Sequence, residues 1–196
     1  MTMRSTARTL AFATLALLAT LSWTAPLTAQ SNAAAESMSP NPDKPLPSPA
    51  QHAQVNFAPS PATIDISYNS PSIRGRKIMG GLVPYGKVWR TGANPATTLV
   101  TTTPIHIGTL AVPAGTYTLY TLPGEQQWLL IINKQIGQWG TEYHPDQDLG
   151  RIPMHAVPMS APQELMSITF EHTTPTSTQL HVRWETTDRY VPITLN

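Results

Sequence analysis

The stretch 62-ATIDISY-68 places Ile64, Ile66 and Tyr68 on one side of an extended chain and Thr63, Asp65 and Ser67 on the other. Successive side chains of a strand point to opposite faces, so a period of two marks a strand with one buried face and one wet face. The pattern returns in 166-MSITFEH-172, with Met166, Ile168 and Phe170 inward. It returns again in 180-LHVRWE-185, with Leu180, Val182 and Trp184 inward and His181, Arg183 and Glu185 outward. Further strand candidates cover 96–102, 105–107, 116–122, 128–133, 152–156 and 191–195. Turn residues separate them: Pro113-Ala114-Gly115 precedes one strand, and Pro123-Gly124 joins 116–122 to 128–133 as a hairpin. The run 129-LLII-132 is apolar without interruption, as a central strand covered on both faces would be. No segment of helical length carries a 3.6-residue stripe, and no internal repeat is evident. Short strands without helices between them predict an all-β domain over 62–196, a single antiparallel β-sandwich with a barrel-like variant as the alternative.

Ahead of this domain the composition changes twice. Arg4 and Arg8 precede the uncharged apolar run 10-LAFATLALLATLSW-23, and 27-LTA-29 offers small residues for cleavage. A run of this length is short for a membrane span and suits a signal peptide over 1–29, with Gln30 as the first mature residue. The segment 30–61, with 39-SPNPDKPLPSPA-50 at its centre, is rich in proline and small polar residues and has little to bury, so it is expected to be an extended linker. The chain has no cysteine. Disulfides, cysteine-linked lipid, thiolate zinc sites and cysteine nucleophiles are therefore excluded, and an exported, soluble, periplasmic or extracellular domain without a transmembrane segment is expected. Loss of Arg4 and Arg8 would take the formal charge from +1 to −1, which argues against nucleic acid as a partner.

The stretch 81-GLVPYGKVWRTGAN-94 begins G-x-x-x-x-G-K, the opening of a phosphate-binding loop. The position after Lys87 is Val88, which has no hydroxyl for Mg²⁺, and Pro84 lacks an N–H to offer a phosphate. The lysine should open a helix, yet Gly92 follows within a few residues, and 77-KIMGG-81 is too short for the preceding strand. Nucleotide binding is not expected, and no cofactor or metal is implied.

The longer passage 66-ISYNSPSIRGRKIMGGLVPYGKVWRTGANPATT-98, with 113-PAGTYTLYTLPGE-125 and 128-WLLIINKQIGQWGTEYHPDQDLGR-151, resembles a bacterial, exported family known only as domain of unknown function 2911. The resemblance spans essentially the whole mature domain and implies location and fold relationship without a reaction. Pro95 stands where the resemblance implies an acidic residue after Gly-Ala-Asn.

Two constellations are candidates for chemistry. The first is the basic cluster Arg74, Arg76, Lys77, Lys87 and Arg90, in a region with no acidic residue between Asp65 and Glu125. It either pairs with the acidic back half of the chain or receives an anionic group, with Arg74 and Arg90 as bidentate donors. Arg90 also has a structural reading, in which it satisfies carbonyls of the 79–87 loop while Gly92 and Asn94 form turns with φ > 0. The second is 138-QWGTEYHPDQDLGR-151, where Trp139 and Tyr143 offer an aromatic platform and Glu142, His144 and Asp146 offer polar groups. That mixture suits sugar stacking or, less well, a weak metal site of oxygens plus one imidazole, and the bland alternative is a polar loop that plugs the edge of the sandwich.

Neither G-x-S-x-G nor H-E-x-x-H occurs. The leading expectation is therefore a non-enzymatic envelope or extracellular binding module for a glycan or an anionic small molecule. Its candidate ligand residues are Arg74, Arg76, Lys77, Arg90, Asn94, Trp139, Glu142, Tyr143 and His144. An exported glycan hydrolase would instead need Glu142, His144 and Asp146 to converge with Arg74 and Arg90 in one pocket. A pure interaction module would show a flat apolar patch.

Overall fold

The computed structural model describes residues 48–196. The expected signal peptide, and the expected linker up to residue 47, lie outside the described residues. Eleven strands follow in chain order: β1 (Ala50–Asn56), β2 (Thr63–Asn69), β3 (Thr97–Thr101), β4 (Ile105–Ile107), β5 (Leu110–Val112), β6 (Gly115–Leu122), β7 (Trp128–Asn133), β8 (Asp148–Val157), β9 (Gln163–Glu171), β10 (Ser177–Glu185) and β11 (Thr187–Leu195). One turn of 3-10 helix at Pro145–Gln147 is the only helix among the described residues. The strands run in the order β1-β2-β3-β6-β7-β8-β11-β10-β9, with the β4–β5 hairpin attached to β11, and every pairing is antiparallel.

Strand β8 turns this sheet into two layers. Residues 148–154 pair with β7, and residues 155–157 pair with β11. A strand that changes partners along its length makes the corner of a barrel-like sandwich. One cluster fills the inside with residues from both halves: Ile64 and Ile66 of β2, Leu130 and Ile132 of β7, Val182 and Trp184 of β10, and Val191 and Ile193 of β11. Each such side chain, once buried, contributes about 1.5–3 kcal/mol. The alternation that predicts β2 is present residue for residue, and β7 is the central strand of the order.

The sheet's two ends, β1–β2 and β9, come together at a seam. Ser72 bridges Leu165, Ile73 N donates to Glu164 O, and Met166 N donates to Pro71 O. The Tyr68 hydroxyl accepts from Ile168 N at 3.0 Å.

Two expectations need correction. The end of the expected linker is structured: 50–56 is β1, paired with β2 over its whole length. Ala53, Val55 and Phe57 point inward, so the alternation extends back past the prolines, with alanine as its weakest member. His181, expected outside, is 3% exposed. Its ring stacks on Tyr190 of the neighbouring strand at 5.1 Å, and its Nδ1 lies 2.9 Å from Asp188 Oδ1, so both its face and its edge are covered.

Candidate functional site

Between β2 and β3 the chain makes a long crossing, 70–96, that belongs to no strand. Its fixed point is Trp89. The backbone N and O of Trp89 both bond to Thr121 of β6, and its indole stacks on Trp184 at 5.7 Å and meets Trp128 edge-on at 6.4 Å. No helix follows Lys87, so the phosphate-loop match is a turn motif, with Gly80 and Gly86 at φ +73° and +71°.

Beside the seam and against this crossing lies a cleft of about 490 Å³. Arg74, Arg76, Arg90, Asn94, Trp89 and Trp184 contribute to its walls. None of the residues lining it is an aspartate, a glutamate or a histidine. The cleft thus gathers four of the candidate residues: Arg74, Arg76, Arg90 and Asn94.

Arg90 is the unusual member. It is half-buried, its Nε is fully enclosed with no hydrogen-bond partner, and no carboxylate pairs with it among the described residues. Burial alone pulls its pKa below the usual arginine value. Its stem is pressed by Gly140, where any Cβ would collide with Arg90 Cδ. That contact explains the glycine after Trp139. The expected role of Arg90, capping carbonyls of the 79–87 loop, is not what the structure has. That loop closes on itself through Gly80 N to Val83 O, Gly81 N to Ile78 O, Leu82 N to Lys77 O and Val83 N to Ile78 O. The Glu185 carboxylate takes Met79 N at 3.3 Å. Among the described residues no hydrogen bond joins Arg90 to a carbonyl of that loop, and Arg90 lines the cleft instead.

The neighbouring cations are held differently. Arg76 donates from Nε to Ile73 O at 3.0 Å and from Nη2 to Ser72 O at 2.6 Å, which fixes the 72–76 turn. The Arg74 backbone N donates to Glu164 Oε1 at 2.9 Å.

The backbone around the cleft is strained. Arg74, Thr91 and Asn94 have φ of 49°, 51° and 59°. For the β-branched Thr91 this is a genuine outlier. The surroundings enforce it: Thr91 Oγ1 donates to Thr121 Oγ1 at 3.1 Å, and Thr91 O accepts from Thr97 Oγ1 at 3.0 Å. Asn94 has the positive φ expected of it, whereas Gly92 is required for a different reason. A Cβ there would stand 3.0 Å from Asn69 O and 3.1 Å from Thr97 Oγ1.

The second constellation does not join the cleft. Tyr143 donates to Asp148 Oδ2 at 2.6 Å, accepts from Arg151 Nη2 at 2.8 Å, and packs edge-on against Tyr120 at 5.1 Å. Burial first, and then the Asp148 carboxylate, push its pKa up to about 12. Its ring is a staple rather than an open platform. Glu142 and His144 act through backbone carbonyls, which accept from Tyr120 Oη at 2.7 Å and Asn133 Nδ2 at 2.9 Å. Their exposed side chains do not line the cleft, nor do those of Asp146 and Lys77. Trp139 does not line the cleft either: its backbone bridges Pro95, and Gly140 N donates to Asn94 O at 3.2 Å. Its side chain is 53% exposed.

Sequence reasoning missed two features of the site. Trp184 reads as plain core because it sits in an alternating strand. The strain at Thr91 has no sequence signal, because threonine rarely adopts that conformation.

Residues 48–193, which carry both the seam and the cleft, match the family described as Protein of unknown function (DUF2911). The chain belongs to that family. The match agrees with the resemblance carried by 66–98, and its start at residue 48 puts β1 within the DUF2911 domain. No curated protein and no solved structure matches this DUF2911 chain. No helix among its described residues is long and apolar enough to cross a membrane.

Proposed function

We propose that this DUF2911 protein is an exported, non-enzymatic binding module whose ligand carries an anionic group seated on Arg90. One observation carries the reading: a half-buried guanidinium, depressed by burial, faces a cleft without any carboxylate to pair with it. A charge taken out of water costs several kcal/mol unless an opposite charge repays it, so cations in protein interiors are normally paired. A bound carboxylate or phosphate would supply the partner, and arginine's planar fork suits either one. The cleft's volume falls within the range of small-molecule sites. The strained backbone at Arg74, Thr91 and Asn94 supports the same reading, because such strain collects where a ligand site needs a fixed geometry. Export rests on the sequence alone, on Arg4, Arg8 and the apolar run 10–23.

A hydrolase at this cleft has less support. The lining has no aspartate, glutamate or histidine to act as acid or base, and Glu142, His144 and Asp146 do not line it. A thermal-shift titration with galacturonate, inorganic phosphate and neutral galactose tests the binding reading. A ligand that binds only the native state raises the melting temperature. At least one anion is expected to raise it in the wild type and to lose that effect in Arg90→Met, with galactose inert. Equal shifts in both proteins, or no shift with either anion, would remove Arg90 from the account.

A further inference from the structure

We infer that the ligand is amphiphilic: a carboxylate seated on Arg90 and, joined to it, an apolar body that covers Leu82 and Trp89. This rests on the anion-binding reading and narrows it. Charge is only part of what the cleft offers, since its lining also includes Pro71, Leu82, Val83, Trp89 and Trp184. Proline, leucine and valine side chains have only carbon to show a ligand. The two indoles have little more, because their N–H groups are already used. Trp89 Nε1 donates to Gly92 O and Trp184 Nε1 donates to Glu164 O, each at 3.1 Å. Trp89 and Arg90 are consecutive in the chain and both line the cleft, so apolar wall and cation adjoin.

Leu82 is the residue that asks for a partner. It is 50% exposed, although the next residue, Val83, is buried. A lone exposed leucine is ordinary. This one is held at the wall of a cleft: Leu82 N donates to Lys77 O at 3.1 Å and Val83 N donates to Ile78 O at 2.9 Å, which closes the loop on itself. Its apolar surface therefore stays in water until something apolar covers it, and covering it is favourable. Small-molecule sites commonly combine such walls with a few polar groups that fix orientation. Arg76 has committed Nε and Nη2 to backbone carbonyls, so a head with a single negative charge matches what Arg90 offers.

A sugar acid is the competing occupant. Its carboxylate suits Arg90 equally well, but its hydroxyls would lie against carbon and lose water without gaining partners there. The lining has a side-chain amide or hydroxyl only at Ser48, Ser72 and Asn94.

The test is to titrate the purified protein with 3-phenylpropionate, galacturonate and neutral 3-phenylpropanol, following binding by calorimetry in the wild type, Leu82→Ser and Arg90→Met. Phenylpropionate is expected to bind the wild type at least about tenfold more tightly than galacturonate. Leu82→Ser changes a half-exposed side chain and should weaken phenylpropionate about fivefold while leaving galacturonate within about twofold. Arg90→Met should weaken both acids, and phenylpropanol should bind at least about tenfold more weakly than phenylpropionate. Galacturonate matching phenylpropionate in the wild type, or Leu82→Ser leaving phenylpropionate unchanged, would overturn this inference and leave Arg90-dependent anion binding standing. Binding that ignores Arg90→Met, phenylpropanol matching phenylpropionate, or no binding by either acid would overturn the underlying reading as well.

Discussion

Two arginines in this protein show opposite ways of handling a cation near the interior. Arg183 of β10 is saturated. Its Nε donates to Asp188 Oδ2 at 2.7 Å, and its Nη1 and Nη2 donate to Glu171 Oε1 and Oε2. Asp188 in turn takes His181, and the whole group ties β9, β10 and β11 together. Arg90 is about as withdrawn from water, yet has no carboxylate partner among the described residues. The first arrangement raises the arginine's pKa, mainly through the Glu171 bond, and the second lowers it through burial. On the proposed reading the difference separates scaffold from site: one cation is consumed by the fold, and the other is left for a ligand.

The comparison breaks first at Arg183. Replacing it with alanine removes the permanent charge partner of the Asp188 carboxylate, which is 3% exposed and keeps only His181, so Arg183→Ala should lose about 3 kcal/mol in urea unfolding. A loss below about 1 kcal/mol would mean that the cluster is not the fastening described.

Acid comes next. The Arg183 hydrogen bonds hold the Glu171 carboxyl down to about 2. Its unfolded counterpart protonates at an ordinary value near 4.5, so its stabilisation is complete above that pH and disappears as the pH falls toward 2. Glu171→Gln should cost about 1–2 kcal/mol at neutral pH and flatten the stability profile between those values. An unchanged acid profile would contradict the pairing.

Alkali tests the neighbouring loop. With Tyr143 raised to about 12, the folded state keeps its proton where the unfolded chain has lost it. Stability should therefore fall as pH rises from about 10 to 12, and that fall should shrink in Tyr143→Phe. The smallest effect is expected at the site itself. Arg90→Ala should change stability by less than about 1 kcal/mol, since it removes stem packing and also an unpaired buried charge. Every anion-induced thermal shift should vanish with it.

Much of this architecture was open to reading in the chain. Strands β2, β9 and β10 announce themselves through Ile64, Ile66, Met166, Ile168, Val182 and Trp184, because burial of one face imposes a period of two. β1 escaped for a physical reason. Ala53 contributes little apolar contrast, and the prolines at 49 and 61 give the segment a linker's composition, although Val55 and Phe57 are buried. The cleft was half legible. A cluster of cations with no nearby acid in sequence points to Arg74, Arg76 and Arg90, but whether distant acids would pair with them depends on the strand order. That order brings Glu171 and Asp188 to Arg183 instead. The loop 138–151 misled because its aromatic and polar residues look like a ligand platform. Tyr143 is in fact spent on Asp148 and Arg151, a pairing that depends on how β8 begins beside it.

The central claim is that Arg90, and not Arg183, is presented to a ligand. The Nε–Hε resonances of the two side chains, assigned through Arg90→Lys and Arg183→Lys, test it directly during a titration with galacturonate. The account predicts that the Arg90 resonance moves and saturates while that of Arg183 stays in place. An Arg90 resonance that does not move while another arginine's does would contradict it.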